Sequence, residues 1–334
     1  MSLAERVSRA WYRDSAWLLP LRPLGALTAR VARRRLGQLR KGPEAAPVPV
    51  LVVGNITVGG TGKTPLVIAL CQGAAARGLK VVVISRGYGA RPPSLPWTVD
   101  AGQSAAEAGD EPLLISHATD AIVIIDPRRP RALEAALTHG PDLVISDDGL
   151  QHYPLGRSAE IAVVDARRGL GNGRCIPAGP LREPASRLDH VDWVVVNGEG
   201  PFRHAGAVPM QLDAPWLENA ATGQRVLLEA FAERYPQVHA LAGIGDPERF
   251  FGLLRRSGFA VTAHPFPDHH AFVADDLALP GEAPLIMTEK DLVKCRDFVT
   301  PRCWVLPVTA TLPPGFIDQV LARLVPTRLK DANT

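Results

Sequence analysis

With 334 residues, 46% of them hydrophobic and 21% charged, the chain is long enough for two domains with separate cores and has the composition of an ordered globular protein. Its four cysteines, Cys71, Cys175, Cys295 and Cys303, are widely spaced without a C-x-x-C pair, which argues against a disulfide framework or zinc site and fits a reducing cytoplasm. The formal net charge of +3 is unevenly spread: residues 1–41 carry ten Arg or Lys against Glu5 and Asp14, and the remainder is net acidic.

The basic segment interleaves Trp11, Tyr12, Trp17, Leu18, Leu19, Leu21, Leu24, Leu27 and Val31 with Arg6, Arg9, Arg13, Arg22, Arg30 and Arg33 to Arg35. No run approaches the ~20 apolar residues of a membrane span, and Pro20 and Pro23 interrupt any helix. Two readings remain. The segment lies among anionic headgroups, where each Arg or Lys contributes roughly 1 kcal/mol, or it packs on the main domain with a solvated basic face. Its charge density and lack of a small-residue cleavage site argue against a signal peptide. Nothing else supports a nucleic-acid arm or implies an obligate protein partner.

Val50 to Val53 is an apolar, β-branched run expected to form a buried strand. The loop after it, Thr57-Val58-Gly59-Gly60-Thr61-Gly62-Lys63-Thr64, reads as a phosphate cradle. Its glycines permit the φ values that turn successive backbone N–H groups toward one anion. Lys63 would neutralise β- and γ-phosphate charge, the Thr64 hydroxyl would take a Mg²⁺ position, and a helix expected from Pro65 adds its positive dipole end. ATP with Mg²⁺ is the cofactor set this implies. The usual G-x-x-x-x-G-K-[ST] pattern has Thr57 in place of its first Gly, so the loop is a variant.

From Val50 onward, short apolar runs alternate with helical stretches, which predicts a P-loop NTPase-like α/β domain built on a parallel sheet. The strands are expected at Val50 to Val53, Val81 to Ile84, Ala121 to Ile125, Leu143 to Ile145, Ile161 to Val164 and Trp193 to Val196. Ligands collect at the carboxyl ends of such strands. Asp147, at the tip of one of them, is the first choice for a metal-holding carboxylate. Asp148 either binds a second Mg²⁺ or caps the turn. Arg86 is a phosphate or substrate clamp or a solvated strand-end residue. Gly109-Asp110-Glu111-Pro112 precedes a helix expected at Pro112 and by itself is ordinary helix-start chemistry. The Gly- and Pro-rich stretch from Gly171 to Pro184 is a shaped loop over the strand ends, and its Arg182 suits a bidentate phosphate or carboxylate contact.

Val208 to Leu212 and Arg225 to Leu228 are extended runs separated by turn residues, which predicts a β-ribbon linker over 206–230 between a core domain at 42–205 and a smaller α/β domain at 231–334. The smaller domain is expected to contain strands at Val238 to Ala242, Ala260 to Ala263, Leu285 to Thr288 and Trp304 to Pro307, with helices near Pro247 to Ser257 and Gly315 to Leu324. His269-His270 has no third ligand at a recognisable spacing, so a metal site there is disfavoured.

Taken together, Val58-Gly59-Gly60-Thr61-Gly62-Lys63-Thr64-Pro65, Ser85-Arg86-Gly87-Tyr88-Gly89, Gly109-Asp110-Glu111-Pro112, Ser146-Asp147-Asp148-Gly149-Leu150-Gln151-His152, Pro177-Ala178-Gly179-Pro180-Leu181-Arg182-Glu183, Asp268-His269 and Met287-Thr288-Glu289-Lys290-Asp291 resemble the tetraacyldisaccharide 4'-kinase family of lipid A biosynthesis. The motifs run in family order over about residues 10–325, and the Thr57 variation belongs to the family's own loop. The resemblance implies transfer of the ATP γ-phosphate to the 4'-hydroxyl of an acylated glucosamine disaccharide 1-phosphate, with peripheral contact to anionic lipid at the cytoplasmic face of the bacterial inner membrane. It also implies that Asp110 and His269 together activate the sugar hydroxyl, meeting when the two domains close, and leaves Asp148 and Glu111 as alternatives for completing the magnesium shell. The competing class is the variant Walker A switch ATPases of membranes. Those carry a second Lys where this chain has Val58.

Overall fold

The structure, a computed structural model, describes residues 3–13, 15–39 and 46–326. Asp14, Arg40 and Lys41 of the basic segment, and residues 327–334 of the expected C-terminal domain, lie outside the described residues.

The strands of the larger unit are β1 (Val50–Gly54), β2 (Val81–Ser85), β3 (Trp97–Val99), β4 (Ile122–Ile125), β5 (Leu143–Asp147), β6 (Ala159–Asp165), β7 (Trp193–Asn197) and β8 (Val208–Asp213). A smaller unit follows with β9 (Trp216–Asn219), β10 (Arg225–Leu227), β11 (Gln237–Ala242), β12 (Ala260–Pro265), β13 (Leu285–Thr288) and β14 (Cys303–Leu306), before β15 (Thr309–Thr311) returns to the large sheet. The large sheet runs β15-β8-β7-β6-β1-β5-β2-β4-β3, parallel from β8 to β4. The six strands expected from the apolar runs are its centre, in which β1, β2, β5 and β6 are buried along their whole length. Helices cover both faces, as continuous apolar strands require. One face buries Leu51, Val83 and Ile145 under the Lys63–Ala75 helix, and the other buries Val52, Ile84 and Val144.

Two expectations about the boundary are corrected. The extended runs at Val208 and Arg225 do not pair with each other: β8 joins the large sheet beside β7, while β10 pairs with β9 in the small sheet. The ribbon is instead β8 with β15, tied by the Thr311 hydroxyl donating to Asp213 at 2.6 Å across 98 positions. Local alternation cannot name a partner so distant in sequence. The C-terminal helix, Phe316–Leu324, also leaves the small unit. Its Phe316, Val320, Leu321 and Leu324 are buried in the large core, where Ile317 packs against Gly73 of the Lys63–Ala75 helix.

The N-terminal segment folds as helices Leu3–Trp11 and Arg22–Leu39 joined by a 3-10 turn over Ala16–Leu21. Leu18, Gly25, Ala29 and Ala32 face inward. A Cβ on Gly25 would lie 2.8 Å from the Cys175 carbonyl oxygen, so the close approach depends on glycine. The opposite side leaves Trp17, Leu19, Leu24, Leu27 and Val31 exposed.

Candidate active site

The phosphate loop is held from behind. Its Gly59 and Gly62 adopt φ of 98° and 95°, and a Cβ on Gly62 would fall 2.5 Å from the Asn197 amide nitrogen. Asn55 Nδ2 donates to the Gly59 carbonyl at 3.1 Å, Asn197 Nδ2 to the Thr61 carbonyl at 3.0 Å, and the Arg168 guanidinium to the Gly60 carbonyl. The Val58 N–H donates to the Pro180 carbonyl at 2.8 Å, and Thr57 forms an isolated bridge to Leu181. Thr57 therefore serves where the loop meets the Gly- and Pro-rich segment. The helix begins at Lys63, two residues before Pro65, with Lys63 and Thr64 buried in its first turn.

Beyond the loop lie the carboxylates of the strand ends. Asp147 closes β5 and is buried, with Oδ2 accepting from the Ser85 hydroxyl at 3.4 Å and Oδ1 buried without a hydrogen-bond partner. Burial, reinforced by the charges of Glu111 and Asp148, pushes its pKa up to about 7. Asp148 follows at φ 48°, and its carboxylate lies 3.4 Å from Lys63 Nζ and 3.0 Å from Arg182. Burial would raise its pKa, but the cations of Lys63 and Arg182 more than offset that and hold it below the usual range. Arg182 also reaches Gln151 Oε1 at 3.3 Å. A cleft of about 300 Å³ opens beside it, lined by Leu27, Val31, Arg35, Tyr153 and Glu183, so the Arg22–Leu39 helix forms one of its walls. Arg86 is exposed and makes no ion pair among the described residues.

Asp110 and Glu111 occupy the first turn of the Asp110–Ala118 helix, which starts two residues earlier than expected. Asp110 Oδ2 is 3.1 Å from His269 Nδ1 and 3.9 Å from Lys294 Nζ, and Glu111 pairs with Lys290. Burial would raise the Glu111 pKa, but the ammonium groups of Lys290 and Lys63 outweigh it and lower the value. His269 and Asp110 thus touch in the structure as it stands, with no further closure needed. His269 has φ 59°, a conformation costly for a residue with a Cβ, and its ring lies 5.2 Å from that of Tyr88.

Four residues around the site have no role assigned from the sequence, although Lys290 stands within the Met287–Asp291 motif. Arg129 is buried and donates to the Asp147 carbonyl at 2.9 Å, and burial lowers its pKa to about 10. Asn197, Lys290 and Lys294 also escape a local reading. A strand-end Asn and helix lysines resemble ordinary solvated residues until the fold brings them in.

The chain matches the family described as Tetraacyldisaccharide-1-P 4'-kinase over residues 16–325. The Tetraacyldisaccharide 4'-kinase of Alcanivorax borkumensis is 55% identical over 323 residues, spanning 96% of this chain and 98% of that protein. Its Pseudomonas aeruginosa (strain LESB58) counterpart is 52% identical over 330 residues, with 97% and 98% covered. Among solved structures, the "apo" form of LpxK from Aquifex aeolicus in complex with ATP superposes with a TM-score of 0.75 at 26% identity, covering 92% of this chain and 99% of that one.

Proposed function

The chain belongs to the tetraacyldisaccharide-1-P 4'-kinase family, and from that premise we propose how its own residues transfer the ATP γ-phosphate to the 4'-hydroxyl of a tetraacylated disaccharide 1-phosphate. The observation that carries the reading is the Asp110–His269 contact beside the phosphate loop, close enough that Lys63 lowers the pKa of neighbouring Glu111. The loop N–H groups and Lys63 hold the triphosphate, and Lys63 offsets charge developing on the transferred group. Asp110 accepts the sugar proton at a carboxylate oxygen. His269 orients that carboxylate through Nδ1 and, when protonated, stabilises its charge. Arg86 and Arg182 hold anionic groups of the lipid.

Mg²⁺ fits the donor set present. Asp147 Oδ1 is a buried oxygen without a partner, close enough to the loop for the Lys63 charge to act on it, whereas Asp148 is engaged by Lys63 and Arg182, and Glu111 by Lys290. Asp147 and Thr64 are therefore the residues that would hold it, ahead of Asp148 and Glu111. Among the described residues no three ligating side chains gather to hold an ion alone, which accords with a hard cation bound by one or two protein oxygens plus phosphate and water. When bound, it neutralises phosphate charge.

The test is transfer of label from [γ-³²P]ATP to a tetraacylated disaccharide 1-phosphate, alongside an analogue whose 4'-hydroxyl is blocked. Label in the first lipid and none in the second is expected. Equal labelling of both would overturn the assigned acceptor.

The N-terminal helices are the part that would contact the cytoplasmic face of the inner membrane. No described helix is long and apolar enough to cross a membrane. Trp17, Leu19, Leu24, Leu27 and Val31 are exposed, and so are Arg22, Arg30 and Arg33 to Arg35, which suits a segment lying among anionic headgroups. Deleting the segment would open the core around Ala29, so exposed positions are the sound ones to change. Leu24→Asn/Leu27→Asn/Val31→Asn is expected to weaken co-sedimentation with anionic vesicles by roughly 10-fold or more, since each leucine forfeits about 1.5–3 kcal/mol of burial at most. The residual binding should fall with salt. Unchanged partitioning would leave the segment purely structural.

A further inference from the structure

The Glu289–Cys295 helix bridges the two units. It packs against the Asp110–Ala118 helix, and its Val293 is buried in the core of the large unit, while Cys295 is buried in a core of the small one. Lys290 and Lys294 stand one turn apart on it, a spacing that puts both on one face. That face meets adjacent carboxylates. Lys290 Nζ pairs with Glu111, and Lys294 Nζ lies 3.9 Å from the same Asp110 oxygen that His269 Nδ1 approaches at 3.1 Å.

Lys294 is fixed in place. Its side chain is 6% exposed, with the ammonium 2.9 Å from Asp291 Oδ1, 3.3 Å from the Gly243 carbonyl oxygen and 4.9 Å over the Phe272 ring. Asp291 is fully buried and in turn accepts from the Thr288 hydroxyl at 2.6 Å and the Gly243 N–H at 3.2 Å. A buried ion pair adds little net stability compared with apolar residues of the same volume, because desolvation cancels most of the attraction. Its use here is to hold a positive charge at a set place. Lys290 lacks that immobilisation and is partly exposed, but it hydrogen-bonds Glu111 directly, whereas Lys294 stands 3.9 Å from Asp110.

We propose that Lys290 and Lys294 are positioning residues, which bring two ammonium groups from the small unit onto Glu111 and Asp110 and so fix the base for the transfer step. The proposal rests on the reading of Asp110 as the base. Docking of the small unit then does more than supply His269: it fixes the Asp110 carboxylate through one oxygen, which both His269 and Lys294 approach. A misplacement of about 1 Å at such a group is enough to cost 10²-fold in rate.

Lys294→Met alone would leave the Asp291 charge buried without its partner, so the variant to use is Lys294→Met/Asp291→Asn, with Asp291→Asn as its control. Relative to that control, turnover at saturating ATP is expected to fall about 10²-fold with KM for ATP within about 2-fold, and the pair Lys294→Arg should recover much of the loss. Added to Asp110→Asn, the lysine change should cost almost nothing further, because its action passes through that carboxylate. Lys290→Met, at a partly exposed site, should lower turnover by a smaller factor, and adding it to Glu111→Gln should likewise cost little. If the Lys294 and Asp110 losses instead multiply, or the Lys294 variant matches its control, the positioning role is wrong while Asp110 remains the base. If Asp110→Asn itself leaves turnover intact, the reading of the base fails, and the proposal with it.

Discussion

Replacing Lys63 with alanine is expected to lower turnover by ~10²-fold or more while leaving the fold in place, the magnitude typical of removing one preorganised charge-stabilising donor. The small effect on stability follows from the surroundings. Asp148, the ion-pair partner of Lys63 at 3.4 Å, keeps Arg182 at 3.0 Å, so no carboxylate is stranded. The loss should appear in kcat at saturating ATP as well as in ATP affinity, because Lys63 acts on charge that develops during transfer. Stopped-time assays with labelled ATP, paired with a melting curve of the same preparation, separate these outcomes. Near-normal turnover with an unchanged melting temperature would remove Lys63 from the mechanism.

The second large effect concerns Asp110 and His269. Each alanine variant is expected to depress turnover by on the order of 10²- to 10⁴-fold, the range for a positioned acid–base group. ATP binding, measured by calorimetry, should be nearly intact, since the loop and not the base holds the phosphates. Because His269 Nδ1 sits 3.1 Å from Asp110 Oδ2, the two act as one unit, and the double variant should resemble the worse single one. The backbone adds an independent check. His269 stands at φ 59°, where glycine is at ease, so His269→Gly should lose activity like His269→Ala yet be the more stable of the two. If Asp110→Ala abolishes nucleotide binding with little specific effect on transfer, Asp110 is a structural or metal-holding residue, and the search for the base moves to Asp148.

The parts of the site legible in the sequence are those whose physics is local. A β-branched run ending in a glycine loop with Lys63-Thr64 specifies a strand, a glycine turn and a helix within fifteen residues, and the structure starts that helix at Lys63, two residues before Pro65. The strand carrying Leu143 to Ile145 likewise places Asp147 at its tip. Asp110 and His269 are different: taken singly, Asp110 is ordinary helix-start chemistry and His269 has no partner at a recognisable spacing, and only the family resemblance joins them.

Hydrophobic period, glycine placement and turn chemistry act over a few residues, so the central parallel strands, the small unit's parallel strands β11 to β14 and the glycine-rich turn after β1 are readable from residue order, whereas β9 is not and β10 reads as part of a linker. Tertiary structure alone decided what depends on segments far apart in the chain. The ribbon pairs β8 with β15 and not with β10, and Phe316–Leu324 packs on the large core. Asp148 is engaged by Lys63 and Arg182, Arg129 is buried against the Asp147 carbonyl, and Lys290 and Lys294 cross between units to Glu111 and Asp110. A lysine on a helix carries the same local signal whether it faces water or a carboxylate from another unit, since the energy that distinguishes the two comes from burial and from a partner charge brought close only when the chain is folded.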